Sequence, residues 1–145
     1  MAPATTVLVV DDEPQIRSLV MRVLSREGYT TFEAGDGAQA LGILESRSAV
    51  DLVLTDIVMP GMDGIQLVGR VASHFPATGV IYMSGKCEID AVRTDIEKHG
   101  FGFIRKPFRI ETLSRTVREF PMSRLHRRKP DSLAQPKSVP QGKTA

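Results

Sequence analysis

Near-continuous apolar runs alternate along the chain with segments whose hydrophobic residues recur at helical spacing. "TVLVV" at 6–10 has the apolar continuity of a strand buried on both faces. Behind it, Ile16, Leu19, Val20, Val23 and Leu24 fall at i, i+3, i+4, i+7 and i+8, one face of a helix that Gly28 can stop. "YTTFEA" at 29–34 is half polar, which predicts a weaker edge strand, and a helix carrying Ala40, Leu41 and Leu44 follows the turn at "GDG". "DLVLTD" at 51–56 is a second strongly apolar strand, with a helix marked by Ile65, Val68 and Ala72 and ended near Pro76. "GVIYMS" at 79–84 is the fourth strand. Ile89, Val92 and Ile96 mark a fourth helix closed by Gly100, "FGFIR" a fifth strand, and Ile110, Leu113 and Val117 a fifth helix that Pro121 stops.

Five strand–helix units of this kind predict an α/β fold: a doubly wound, five-stranded parallel sheet with five helices covering both faces. Function in such sheets collects at the carboxyl ends of the strands. There the chain places Asp11 and Asp12 after strand one, Asp56 after strand three, Ser84 after strand four and Lys106 after strand five. If strands one and three are neighbours, three carboxylates crowd together, and two like charges about 4 Å apart repel by roughly 4 kcal/mol at an effective dielectric of 20. Positive charge must fill that pocket. Mg²⁺, held by one or two carboxylates and completed by water and phosphate oxygens, suits it, and Lys106 adds a second positive group.

Composition sets limits around this reading. A chain of 145 residues with 41% hydrophobic content suits one ordinary domain, and Cys87 alone permits no internal disulfide. No apolar run approaches the roughly 20 residues of a membrane span, and "MAPATT" at 1–6 lacks the features of a secretion signal, so a short disordered lead-in and a cytoplasmic location are expected. Residues 1–120 hold 13 Lys+Arg against 16 Asp+Glu, whereas residues 121–145 hold 6 against 1 and four of the nine prolines. That segment is too polar to offset the entropy of ordering, which puts a domain boundary near Pro121 and a basic, disordered tail beyond it. Cys87 reads as an unreactive residue at the start of the fourth helix, and His74, His99 and His126 show no metal-ligand spacing.

"VLVVDDE", "LVLTDIVMPGMDG", "VIYMSG" and "FIRKPF", in that order and with helical spacers, resemble the receiver domain of two-component response regulators, over roughly residues 7–120. The resemblance implies a flavodoxin-like strand order of 2-1-3-4-5. It makes Asp56 the phosphoacceptor for a histidine kinase or phosphotransfer protein. Asp12, Asp56 and the backbone carbonyl of Val58 become Mg²⁺ ligands, Asp11 acts through water, and Ser84 and Lys106 bind phosphoryl oxygens. Such a protein assists its own phosphorylation and dephosphorylation without turning over an external substrate. Phe103, three residues before Lys106, stands where receivers carry a switch aromatic, and Pro107 resembles the family's cis proline. Val58 and Lys86 occupy the two positions that tune phosphoaspartate lifetime. Neither resembles a water-orienting group, so slow self-hydrolysis is expected. Asp12 is also placed to cap helix one.

The resemblance further implies output through the face of helix four, strand five and helix five, to a downstream protein or a second copy of the chain. Arg93, Asp95, Glu97, Arg105, Arg118 and Glu119 are candidates for pairs across a homodimer. No output domain is encoded after the receiver, so a stand-alone receiver is expected, acting by phosphorylation-dependent partner binding or phosphorelay. The alternative is a receiver-like adaptor whose "RLHRRK" tail binds nucleic acid or an acidic partner.

Overall fold

The computed structural model describes residues 5–47 and 49–121. Five strands, β1 (Thr6–Val10), β2 (Thr30–Ala34), β3 (Leu52–Asp56), β4 (Gly79–Ser84) and β5 (Gly102–Arg105), form one parallel sheet in the order β2-β1-β3-β4-β5. Six helices accompany them: α1 (Pro14–Arg26), α2 (Gly37–Ser46), α3 (Gly64–His74), α4 (Lys86–Ala91), α5 (Arg93–His99) and α6 (Ile110–Glu119). The polar strand β2 lies at the edge, and β3 and β4 are buried throughout, as their apolar runs require. Side-chain alternation divides the core in two. Leu8, Val10, Val53, Val80 and Tyr82 pack under α2 to α5, while Val7, Val9, Leu52, Leu54 and Ile81 pack with Val20, Leu24, Leu113 and Val117 of α1 and α6.

Four expectations need correction. The single fourth helix is two, because Val92 leaves helical geometry at φ −108° and ψ 12° and its N–H bonds back to Asp90 and Ile89. Ile89 and Val92 are buried beneath the break, whereas no residue of α5 is fully buried. On α3 the inward face is Gly64, Leu67, Val68 and Val71, with Ile65 and Ala72 exposed. The capping box of Asp63 and Gln66 sets where that helix starts, and apolar residues on both flanks leave the face ambiguous from spacing alone. The lead-in gives way before residue 6, since Thr5 accepts a bond from Thr30 N and Thr6 N donates to Asp51 Oδ2 at 2.8 Å. Finally, Glu13 and not Asp12 occupies the N-cap of α1, without a side-chain cap bond, while Pro14 supplies the preset first turn.

Gly28 (φ 96°) ends the α1 turn, and Pro121 follows the last helix, as expected. Residues 1–4, the tail from 122 onward and His126 lie outside the described residues. Among the described residues no helix is long and apolar enough to cross a membrane.

Candidate functional site

The strand register lines up the carboxyl ends. Val10 pairs with Thr55, Asp56 with Met83, and Ser84 with Arg105, so Asp11, Asp56, Ser84 and Lys106 come to one rim. Carboxylate oxygens of Asp11, Asp12 and Asp56 all lie within 4.8 Å of one another. Lys106 Nζ reaches into this cluster, donating to Asp11 Oδ2 at 2.8 Å and Asp56 Oδ2 at 3.1 Å, with Glu13 Oε1 at 3.7 Å. Asp11 is fully buried and Asp56 is 7% exposed, while Asp12 faces solvent.

Backbone groups hold the two buried acids. The amide of Ile57 donates to Asp56 Oδ1 at 2.7 Å, and that of Glu13 to Asp11 Oδ1 at 2.9 Å. Burial pushes the Asp11 carboxyl above its ordinary range and the Asp56 charge adds to this, against the hydrogen bond from Lys106. For Lys106, burial alone would depress the ammonium. The hydrogen bonds and charges of Asp11 and Asp56 together outweigh it, and its pKa stands above the usual lysine value.

Local sequence explains how the rim is built. Lys106 follows β5 through a backbone bond from its N–H to Ser84 O at 2.9 Å, and the Lys106–Pro107 peptide is cis. After Asp56 the chain turns at Gly61, whose φ of +73° suits glycine, and then starts α3 at Gly64. A Cβ on Gly64 would stand 2.1 Å from the Asp56 carbonyl oxygen, so its hydrogen is what lets α3 lie against the end of β3.

Three carboxylates against one ammonium leave two negative charges uncompensated, and the donor set is all oxygen. That is the chemistry of a hard dication, and the pocket is compatible with Mg²⁺. The remaining sequence candidates sit around it. Ser84 is buried at the end of β4; Val58 is 61% exposed in the loop after Asp56. Phe103 is 40% exposed on β5, and Lys86 pairs with Asp90 at 3.6 Å along α4 rather than with any rim carboxylate. Arg93, a candidate for pairing across a dimer, is engaged within the chain by Asp90 at 2.7 Å. Cys87 is exposed at the start of α4, and His99 stacks on Phe101 with ring centroids 5.1 Å apart. Residue spacing did not point to Arg17 or Glu33, which border the rim from α1 and β2.

Comparison with known proteins agrees with this architecture. The response regulator receiver domain family matches residues 7–118. The chain is 38% identical over 120 residues to the sensor kinase CckA of Brucella abortus, covering 82% of this chain but only 13% of that protein. It is 37% identical over 114 residues to sporulation initiation phosphotransferase F of Bacillus subtilis, covering 79% of this chain and 91% of the other. Among solved structures, chemotaxis protein CheY4 of Vibrio cholerae superposes with a TM-score of 0.74 at 29% identity, over 82% of this chain and all of the other. With the strand order, the acidic rim and the lysine on it, these likenesses place the chain in the response regulator receiver domain family.

Proposed function

We propose that the chain is a cytoplasmic response regulator whose receiver body, residues 7–120, accepts a phosphoryl group on Asp56 from a histidine kinase or phosphotransfer protein. The observation that carries this reading is the meeting of Asp11, Asp12 and Asp56 with Lys106 on one rim. An Asp56 carboxylate oxygen forms the new O–P bond as the donor's P–N bond breaks, and the leaving electron pair and a proton go to the donor imidazole. Phosphoryl transfer asks mainly for positioning and charge stabilisation. Ile57 N and Lys106 Nζ already hold one oxygen each of Asp56, which fixes the direction of attack.

Asp12, Asp56 and the Val58 carbonyl are the proposed Mg²⁺ ligands, with Asp11 acting through water; the bound ion neutralises carboxylates and phosphoryl oxygens alike. Lys106 and the Ser84 hydroxyl take the remaining phosphoryl charge. Ser84 and Phe103 then bias the face of α4, α5, β5 and α6, through which a downstream protein or second copy is engaged. Exposed Val58 offers no group to orient an attacking water, which supports a long-lived phosphoaspartate.

Intact mass after incubation with acetyl phosphate tests the reading. One added phosphoryl group is expected in wild type with Mg²⁺, and none without Mg²⁺ or in Asp56→Asn. No adduct in folded wild type, with Mg²⁺ and either acetyl phosphate or a phosphorylated histidine donor, overturns it.

A further inference from the structure

Arg17, on α1, reaches back over the rim. Its Nη1 donates to the carbonyl oxygen of Asp11 at 2.7 Å, its Nε donates to Glu33 Oε1 on β2 at 2.7 Å, and its side chain is only 19% exposed. The Asp11 carbonyl belongs to the planar peptide that joins Asp11 to Asp12. The next peptide, between Asp12 and Glu13, is held at its N–H by Asp11 Oδ1 at 2.9 Å. Asp12 therefore leaves the backbone between two tethered peptide planes. Its own side chain is exposed and makes no hydrogen bond or ion pair among the described residues, so these tethers, which fix where the side chain leaves the backbone, are what limits the reach of its carboxylate.

The fork geometry of a guanidinium suits this bridge, because one group must meet a backbone carbonyl and a carboxylate in fixed directions. Glu33 both braces Arg17 and offsets its charge. The offset matters, since an unneutralised cation beside an acidic cluster opposes a bound dication. Charge thus works against any help Arg17 gives to metal binding, and what it can supply is position.

We propose that Arg17, braced by Glu33, is a positioning residue that fixes the Asp11–Asp12 peptide and so preorganises Asp12 as a Mg²⁺ ligand; this rests on the Mg²⁺ site proposed above. Charge and position predict opposite signs. Removing the cation in Arg17→Met tightens Mg²⁺ binding if charge governs, and weakens it by about 10-fold if the residue supports a ligand.

Calorimetric titration of Mg²⁺ into the metal-free full chain separates the two. Weaker binding in Arg17→Met is expected, with the amide resonances of Asp12 and Glu13 shifted before metal is added and those of α3 unchanged. Affinity equal to or tighter than wild type overturns the role of Arg17 and leaves the proposed function standing. If Arg17→Met does not fold, Arg17→Lys decides: it keeps the charge but cannot make both bonds, so weaker binding supports the proposal and unchanged affinity overturns it. Wild type that takes up no Mg²⁺ sinks the metal site itself, and the role of Arg17 with it.

Discussion

Gly64→Ala and Gly69→Ala add the same methyl group to the same helix, α3, and are expected to move stability in opposite directions. On Gly64 the new Cβ stands 2.1 Å from Asp56 O, 2.8 Å from Ile57 Cα and 3.0 Å from the Asp56 carbonyl carbon, all of them backbone atoms. Ordinary carbon contacts sit at about 3.5–4.0 Å, so helix and strand end must part by roughly 1 Å or more. Parting them strains or breaks the bond from Gly64 N to Ile57 O, now 2.7 Å, at a cost of about 1 kcal/mol. Overpacking adds roughly 1–3 kcal/mol, against at most about 1 kcal/mol regained from the helix preference of alanine. The net loss is about 1–3 kcal/mol, a fall in melting temperature of roughly 4 to 15 °C for a domain of this size.

At Gly69 a Cβ meets nothing within 4 Å, and the glycine lies mid-helix and exposed. There only the conformational terms remain, worth roughly 0.4–1 kcal/mol in favour of alanine. Thermal unfolding followed by circular dichroism reads both variants. The acetyl phosphate adduct gives a second reading, since the peptide that must move in Gly64→Ala carries Asp56: a lower yield is expected there and a normal one in Gly69→Ala. Melting of Gly64→Ala within about 2 °C of wild type would refute the close-approach argument, as would a melting point for Gly69→Ala below that of Gly64→Ala.

Asp12→Ala removes one of three carboxylates within 4.8 Å of one another. A like-charge pair at that distance costs about 1 kcal/mol in a water-like dielectric, so the metal-free variant should melt a few degrees higher in low salt and lose the advantage in high salt. An unchanged or lower melting point in low salt counts against the repulsion, and stabilisation by Mg²⁺ should disappear in this variant. Val58→Asn puts a water-orienting amide beside Asp56, and faster loss of the phosphoryl group than in wild type is expected by mass spectrometry; slower loss contradicts the assigned role. In Asp63→Ala the bond from Gln66 N to Asp63 Oδ1, 2.8 Å, is lost with its half of the capping box, and about 1 kcal/mol of stability should go with it in urea unfolding.

How much of this could be read from the chain depends on the kind of interaction. β1, β3 and β4 are near-continuous apolar runs because both faces of a parallel sheet are covered, and this signal is local. Asp11, Asp56 and Ser84 were legible for the same reason: each marks the place where such a run stops. Spacing failed where two patterns overlap. Ile89, Val92 and Ile96 follow one helical period through the break at Val92, so nothing in the hydrophobic stripe reveals that the backbone changes course there. On α3, apolar residues occur on both sides of the true inward face. Arg17 and Glu33 act through individual hydrogen bonds between segments apart in sequence, and such contacts have no period to detect.

The exposure of Phe103 bears on how the proposed switch is driven. Shifting a two-state equilibrium from 1:99 to 99:1 takes about 5.5 kcal/mol. A charge-assisted bond from Ser84 to the phosphoryl group supplies roughly 1.5–3 kcal/mol, well short of that. Phe103 is 40% exposed and has no hydroxyl to leave unsatisfied on turning inward. If a phenylalanine side chain carries about 200 Å² of apolar surface, covering its exposed share removes about 80 Å² from water, or about 2 kcal/mol at 25 cal/mol per Å². Ring burial favours the inward state with or without phosphate, so on the proposed reading the shift that phosphorylation adds must come from the Ser84 and Lys106 contacts, with partner binding to the changed face completing it. A tyrosine at this position would need a buried partner for its hydroxyl, at a cost of about 1–3 kcal/mol if none is met. Phe103→Tyr should therefore weaken phosphorylation-dependent burial of the ring, measured by amide exchange along β5 with and without acetyl phosphate. Equal protection in the two forms would show that the aromatic is not the element the phosphate biases.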